Sequence, residues 1–270
     1  MFENSLLQYD ALNFHTHTKS MERGAMRRIK LTVAYDGTNY CGWQVQPNGI
    51  TIEEVLNKKL SRLTGEDIRI IGASRTDSGV HALGNVAVFD SETGIPPERM
   101  AYALNQRLPE DIVITRSEEV ASDWHPRYCN CTKTYEYHIL NAKMQDPTRR
   151  LTRYFVSYDL DLEKMREAAG YLVGTHDFAS FCNVRTNVED TVRTIYELSV
   201  VKEKDEITIR IRGNGFLYNM VRIIVGTLLR VGRNFYTPAQ VKDILEAKDR
   251  QAAGVTAPPH GLMLVGIKYE

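Results

Sequence analysis

Residues 28–35 place Ile29, Leu31, Val33 and Tyr35 on one face of an extended chain, the two-residue period of a half-buried strand. Thr51-Ile52-Glu53-Glu54 then carries a capping-box signature, and Ile52, Val55, Leu56, Leu60 and Leu63 recur at helical spacing. Strands are predicted over 67–71 and 85–90, with a loop of small and polar residues between them. Pro96-Pro97 opens a second helix that runs through Arg107, and a strand over 111–120 closes this half. The order is βαββαβ, the ferredoxin-like arrangement.

The rest of the chain repeats that order. A strand rich in aromatic and β-branched residues is predicted over 132–140, and an amphipathic helix over 161–172. Residues 192–202 and 206–212 read as a hairpin around 203–205. A long, largely buried helix follows over 216–231, and 262–269 is the last strand. Thr237-Pro238-x-Gln240 starts an extra helix, and 250–259 reads as a loop. The halves match in the order of their elements and not in sequence. The expected fold is therefore α+β, with two pseudo-repeated ferredoxin-like βαββαβ units whose mainly antiparallel sheets meet at a central cleft. The expected boundaries are 26–122 and 123–270. Residues 1–25 are expected to be a disordered or non-native extension, because Met26-Arg27-Arg28 reads as a start. His15 and His17, within that extension, are a weaker signal for metal than for disorder.

Composition narrows the class without choosing a function. With 43% hydrophobic and 25% charged residues the chain reads as a globular protein. The most apolar run, 216–231, is interrupted by Asn219, Arg222 and Arg230, which excludes a membrane span there. The start shows no secretory pattern, so a cytoplasmic setting is expected. Cys41, Cys129, Cys131 and Cys182 have neither zinc-ligand spacing nor the density of a disulfide scaffold. The net charge is zero, which by itself argues against a nucleic-acid partner. Local clusters count for more, and two exist: Arg210, Arg212, Arg222, Arg230 and Arg233, and then Arg149, Arg150 and Arg153. Each also fits a solvated basic face.

The chemistry concentrates in the loop Gly72-Ala73-Ser74-Arg75-Thr76-Asp77-Ser78-Gly79-Val80-His81-Ala82. Its one carboxylate, Asp77, follows Arg75 by two residues, and a nearby cation favours the ionised, nucleophilic form. The same residues also fit an Asx-turn in which Asp77 bonds its own backbone. Tyr135 lies on an alternating strand with Tyr137 and Ile139, as a core tyrosine would. Arg222 interrupts an apolar helix; buried, it needs a partner, and otherwise it faces solvent.

Arg75-Thr76-Asp77-x-Gly79-Val80-His81-Ala82 resembles the signature of the TruA-type tRNA pseudouridine synthase family. Further similar segments follow in family order. They are Tyr35-Asp36-Gly37-Thr38-x-Tyr40-x-Gly42-Trp43-Gln44, Lys133-Thr134-Tyr135-x-Tyr137, Gly174-x-His176-Asp177-Phe178-x-x-Phe181 and Arg193-Thr194-Ile195. The longest is Gly213-x-Gly215-Phe216-Leu217-x-x-Met220-Val221-Arg222-x-Ile224-Val225-Gly226-Thr227-Leu228-Leu229.

The resemblance implies that Asp77 is the nucleophile in the cleft, that Arg222 is its ion-pair partner, and that Tyr135 stacks on the target uracil. It gives Arg75 a role beside Asp77 or in the gap left by the flipped uridine. It further implies uridines 38, 39 and 40 of the tRNA anticodon stem-loop as substrate, a homodimer, and no metal or other cofactor. Trp43 and Gln44 are expected to shape a loop near RNA, or Trp43 to pack in the core. Ser78 departs from the alanine of many relatives, which bears on the loop's hydrogen bonds. Two rival readings are a non-catalytic RNA-binding module and a metal-dependent phosphoesterase built on Asp77, His81, His176 and Asp177.

Overall fold

The computed structural model describes residues 24–183 and 190–270. His15 and His17 lie outside them, as does all of the expected extension except Gly24 and Ala25. Gly24 donates a backbone hydrogen bond to Glu92 at 2.7 Å, a contact made from within the expected extension.

The strands are β1 (Arg27–Tyr35), β2 (Ile71–Gly72), β3 (His81–Ser91), β4 (Ile112–Val120), β5 (Cys131–Asn141), β6 (Tyr154–Val156), β7 (Gly174–Asp177), β8 (Val192–Glu203), β9 (Glu206–Gly213) and β10 (Leu262–Tyr269). The helices are α1 (Ile52–Thr64), α2 (Met100–Asn105), α3 (Leu162–Gly170), α4 (Met220–Gly232) and α5 (Gln240–Ala247). The strands form one mixed sheet in the order β4-β1-β3-β10-β5-β9-β8-β7, with β2 paired to β3 and β6 to β5. None of the described helices is long and apolar enough to cross a membrane.

Periodicity explains most elements. Ile29, Leu31, Val33 and Tyr35 all point into the core from β1, and Ile52, Leu56 and Leu60 do so from α1. Thr51 Oγ1 accepts from Glu54 N at 3.3 Å, but the Glu54 carboxylate pairs with Lys58 at 2.5 Å instead of closing the capping box. Thr237 and Gln240 make the full reciprocal pair, at 2.7 and 3.3 Å.

Four expectations need correction. The strand predicted over 67–71 is reduced to Ile71–Gly72, because Ile68 and Ile70 bury their side chains from irregular backbone. The helix opened by Pro96-Pro97 becomes a 3-10 turn, Pro97–Arg99, followed by the six-residue α2. The apolar helix begins at Met220 rather than at 216, since Asn219 adopts a left-handed φ of 61°. The short strands β6 and β7 were not foreseen; neither has enough residues to display a period.

One joint positions everything that follows. β3 and β10 pair in parallel at only Met263↔His81 and Leu264↔Ala82, directly after the Asp77 loop. β10 then continues into β5 as an antiparallel neighbour, placing Leu264 beside Tyr135. Two halves of the chain are thereby drawn together around one loop.

Candidate active site

The Asp77 loop is held from three sides. Asn85, fully buried at the start of β3, accepts from Ser74 N at 3.3 Å and donates to Ser74 O at 3.0 Å. The Tyr35 hydroxyl, at the end of β1, bonds Thr76 Oγ1 at 2.8 Å. The segment around Gly42 supplies the third side: Trp43 N donates to Thr76 O at 3.1 Å, and Tyr40 O accepts from Ser78 Oγ at 3.2 Å and from Gly79 N at 3.3 Å. Gly42 has φ +83°, and a Cβ there would lie 2.6 Å from Thr76 O, so this contact requires glycine. Ser78 thus adds an anchor that an alanine cannot make. Trp43 is fully buried and packs on Tyr35 at 5.9 Å between ring centroids, the core alternative of the two expectations. Gln44 lines the cavity described next.

That cavity, about 1430 Å³ in volume, opens against the loop. Asp77, Arg75, Tyr135 and Arg222 all line it, so the four candidate residues share one space. Arg222 Nη1 donates to Asp77 Oδ2 at 3.0 Å and to Asn219 Oδ1 at 2.8 Å, while its Nε donates to Ala257 O at 2.7 Å. The guanidinium is therefore aimed by the turn before α4 and by the loop predicted over 250–259. That loop is itself clasped to α4, with Gly254 N on Thr227 Oγ1 at 2.9 Å. Arg222 and Asp77 side chains keep only 14% and 18% of their surface exposed, so solvent screens the pair poorly.

Burial pushes the Asp77 carboxyl above its ordinary value, and the Arg222 charge and hydrogen bond oppose that rise without cancelling it. The expectation that Arg75 would favour the ionised form is corrected: Arg75 is exposed and forms no ion pair among the described residues. Tyr135 is a core tyrosine that also borders the cavity. It is 8% exposed and shares the core face with Tyr137 and Ile139. Phe216 packs edge-on against it at 5.2 Å and 86°. Burial pushes its hydroxyl up to about 12, which favours the protonated form at neutral pH.

Other candidates disperse. His81 is buried, accepting from Gly37 N at 3.1 Å through Nδ1 and facing Leu151 O at 2.9 Å through Nε2. His176 and Asp177 sit on β7, at the far edge of the sheet, where Asp177 pairs with Lys248 at 2.9 Å. The four residues of the phosphoesterase reading are thus not brought together. Arg149 is held by Asp146 at 2.8 Å and by Asp205 at 2.5 Å, Arg153 by Glu206 at 3.0 Å, and Arg212 by Glu197 at 3.4 Å. Arg210 pairs with Glu136. Most of the two basic clusters is therefore self-neutralised. Asn85, Asn219, Arg127, Lys133 and Phe216 were given no role from sequence. Lys133, Asn219 and Phe216 lie inside or beside quoted motifs, whereas Asn85 and Arg127 carry no local signal.

Comparison with known proteins identifies the family. A family model described as tRNA pseudouridine synthase matches residues 31–129 and 168–270. A protein named tRNA pseudouridine synthase A from Thermoanaerobacter sp. (strain X514) is 51% identical over 244 residues, 90% of this chain and 100% of its own. One of the same name from Exiguobacterium sp. (strain ATCC BAA-1283 / AT1b) is 52% identical over 245 residues, covering 91% and 99%. One from Clostridium acetobutylicum is 48% identical over 244 residues, covering 90% and 100%. A chain in the crystal structure of a Cbf5-Nop10-Gar1 complex aligns with a TM-score of 0.32 at 12% identity, over 87% of this chain and 47% of its own, too distant to inform the fold. The chain belongs to the TruA-type tRNA pseudouridine synthase family, whose members are isomerases acting on tRNA.

Proposed function

We propose that this protein isomerises uridine to pseudouridine at positions 38, 39 and 40 in the anticodon stem-loop of tRNA, with Asp77 as the nucleophile. The observation that carries the reading is the Asp77–Arg222 contact at 3.0 Å inside a cavity that Tyr135 also lines. The reaction breaks the bond from uracil N1 to the sugar C1′, turns the base, and forms a bond from C5 to C1′. One proton leaves C5 and one arrives on N1, so the atoms balance without an oxidant. The ionised Asp77 supplies the electron pair that assists departure of the base. Arg222 keeps the carboxylate aimed and partly offsets the cost of its burial. Tyr135 provides a flat face for the detached uracil, and walls that exclude water keep it captive. Serving three neighbouring positions goes with recognition of shape and phosphates more than of base sequence.

The two units, 26–122 and 123–270, are read as ferredoxin-like halves. The sheet orders β4-β1-β3-β2 and β10-β5-β9-β8 support this, because with the short strands β6 and β7 set aside each runs fourth, first, third, second within its half. The first unit carries Asp77 and the second completes the site with Tyr135 and Arg222. A homodimer acting in the cytoplasm follows from the family resemblance. The experiment is to incubate the purified protein with unmodified tRNA transcript and map pseudouridine by nucleotide. Modification at 38, 39 and 40 is expected; a product confined to other positions contradicts the assignment, and no product contradicts the activity.

A further inference from the structure

Besides Arg222, four cations line the cavity, and one of them, Arg193, lies 4.0 Å from Asp190. Arg75, Arg127 and Lys133 all line it, and none forms an ion pair among the described residues. Two of them are anchored to the backbone that leads into the Asp77 loop. Lys133 Nζ donates to Ala73 O at 3.0 Å, and Arg127 Nε donates to Gly72 O at 2.6 Å. Those bonds use one donor each, whereas an ammonium has three N–H groups and a guanidinium five. Most of the donors therefore remain available at fixed positions.

The electrostatics point the same way. Burial pushes the Lys133 ammonium below its ordinary value; Cys131 opposes this, while the Arg127 and Arg75 charges reinforce it. The carboxylate side chains lining the cavity are Asp77 and Glu270; Arg222 engages the first, and the second pairs with none of the three cations. Arg75 and Arg127 are exposed and Lys133 is half-buried, and three like charges gathered without a counter-charge attract an anion. Elsewhere the chain does the opposite, since Arg149, Arg153, Arg210 and Arg212 each meet a carboxylate.

We propose that Arg75, Arg127 and Lys133 form a phosphate site that takes a phosphodiester of the RNA backbone next to the uridine in the cavity. The site deepens the pseudouridine synthase reading and rests on it. The backbone anchors of Arg127 and Lys133 fix the phosphate relative to Gly72 and Ala73, and so relative to Asp77. Substrate position and nucleophile position are thereby set by one segment.

The test measures binding of unmodified tRNA transcript in an Asp77→Asn background, comparing Arg127→Gln, Lys133→Gln and Arg127→Lys over a range of salt concentrations. Each glutamine variant is expected to weaken affinity about tenfold at low salt, the scale of a charged hydrogen bond. The slope of log affinity against log salt should fall by roughly 0.7 to 0.9 for each, one phosphate contact's worth. Arg127→Lys, which keeps the charge, should recover most of the lost affinity. Unchanged affinity and slope in both glutamine variants would overturn the phosphate site, as would an Arg127→Lys variant as weak as Arg127→Gln. The parent reading fails separately, if the wild-type protein makes no pseudouridine in the same transcript.

Discussion

Two clusters of arginine and carboxylate in this molecule use the same chemical groups to opposite ends. Arg149 meets three carboxylates, Asp146, Asp205 and Glu206, and Arg153 shares Glu206. Around Asp77, one carboxylate meets one guanidinium from the other half of the chain, and three further cations stay unmatched. The first cluster is half-buried at the surface, so its pairs contribute little and are screened by salt. In the second, Asp77 and Arg222 are shielded, so the guanidinium charge acts on the carboxylate with little screening, while Arg75 and Arg127 reach solvent. A run of arginines in sequence thus says little about binding; what counts is where the fold leaves charge uncompensated.

The sharpest way to break that contrast is Asp77→Asn. This change keeps the shape and removes the charge, and pseudouridine formation should fall by at least roughly 10³-fold while tRNA is still bound. Activity within tenfold of wild type would remove Asp77 from the chemistry. Arg222→Ala should come next. It strands a partly buried carboxylate, lowering turnover at neutral pH by roughly 10²-fold and stability by about 1–3 kcal/mol, read from assay and denaturant titration.

Tyr135 separates stacking from proton transfer. Because burial favours its protonated hydroxyl at neutral pH, Tyr135→Phe should keep turnover within about tenfold. Tyr135→Leu should lose clearly more, since it removes the flat face. The reverse order would make the hydroxyl the active part. Arg149→Ala, from the matched cluster, should have the smallest effect: turnover and tRNA affinity within about twofold. A loss comparable to that of Arg222→Ala would erase the distinction between the clusters.

Much of this was legible before any coordinates. The alternation of β1, the amphipathic repeat of α1 and the hairpin of β8 and β9 follow from periods that local sequence displays. Asp77 and Arg222 were found through motifs, and an arginine inside an apolar helix requires a partner on physical grounds alone. What could not be read was set by contacts remote in sequence. Asn85 and Thr76 take their roles from Tyr35, far along the chain, and Arg127 takes its from Gly72. The start of α4 was missed because hydropathy continues through Phe216 and Leu217, whereas the backbone turns at Asn219 to bring its side chain to Arg222. The sign of the Asp77 shift was also hidden, since burial emerges only after the halves close.

The pH dependence of kcat/KM for pseudouridine formation tests the pairing most directly. Burial raises the Asp77 carboxyl and Arg222 pulls it down, so the ionised form, and with it activity, should appear as pH rises through a value above the ordinary carboxylate range. In Arg222→Gln the opposing pull is gone, and the acid limb should move to still higher pH, with part of the lost activity returning on the alkaline side. An acid limb that stays in place when Arg222 is replaced would contradict the account, because the guanidinium would then not govern the charge of Asp77.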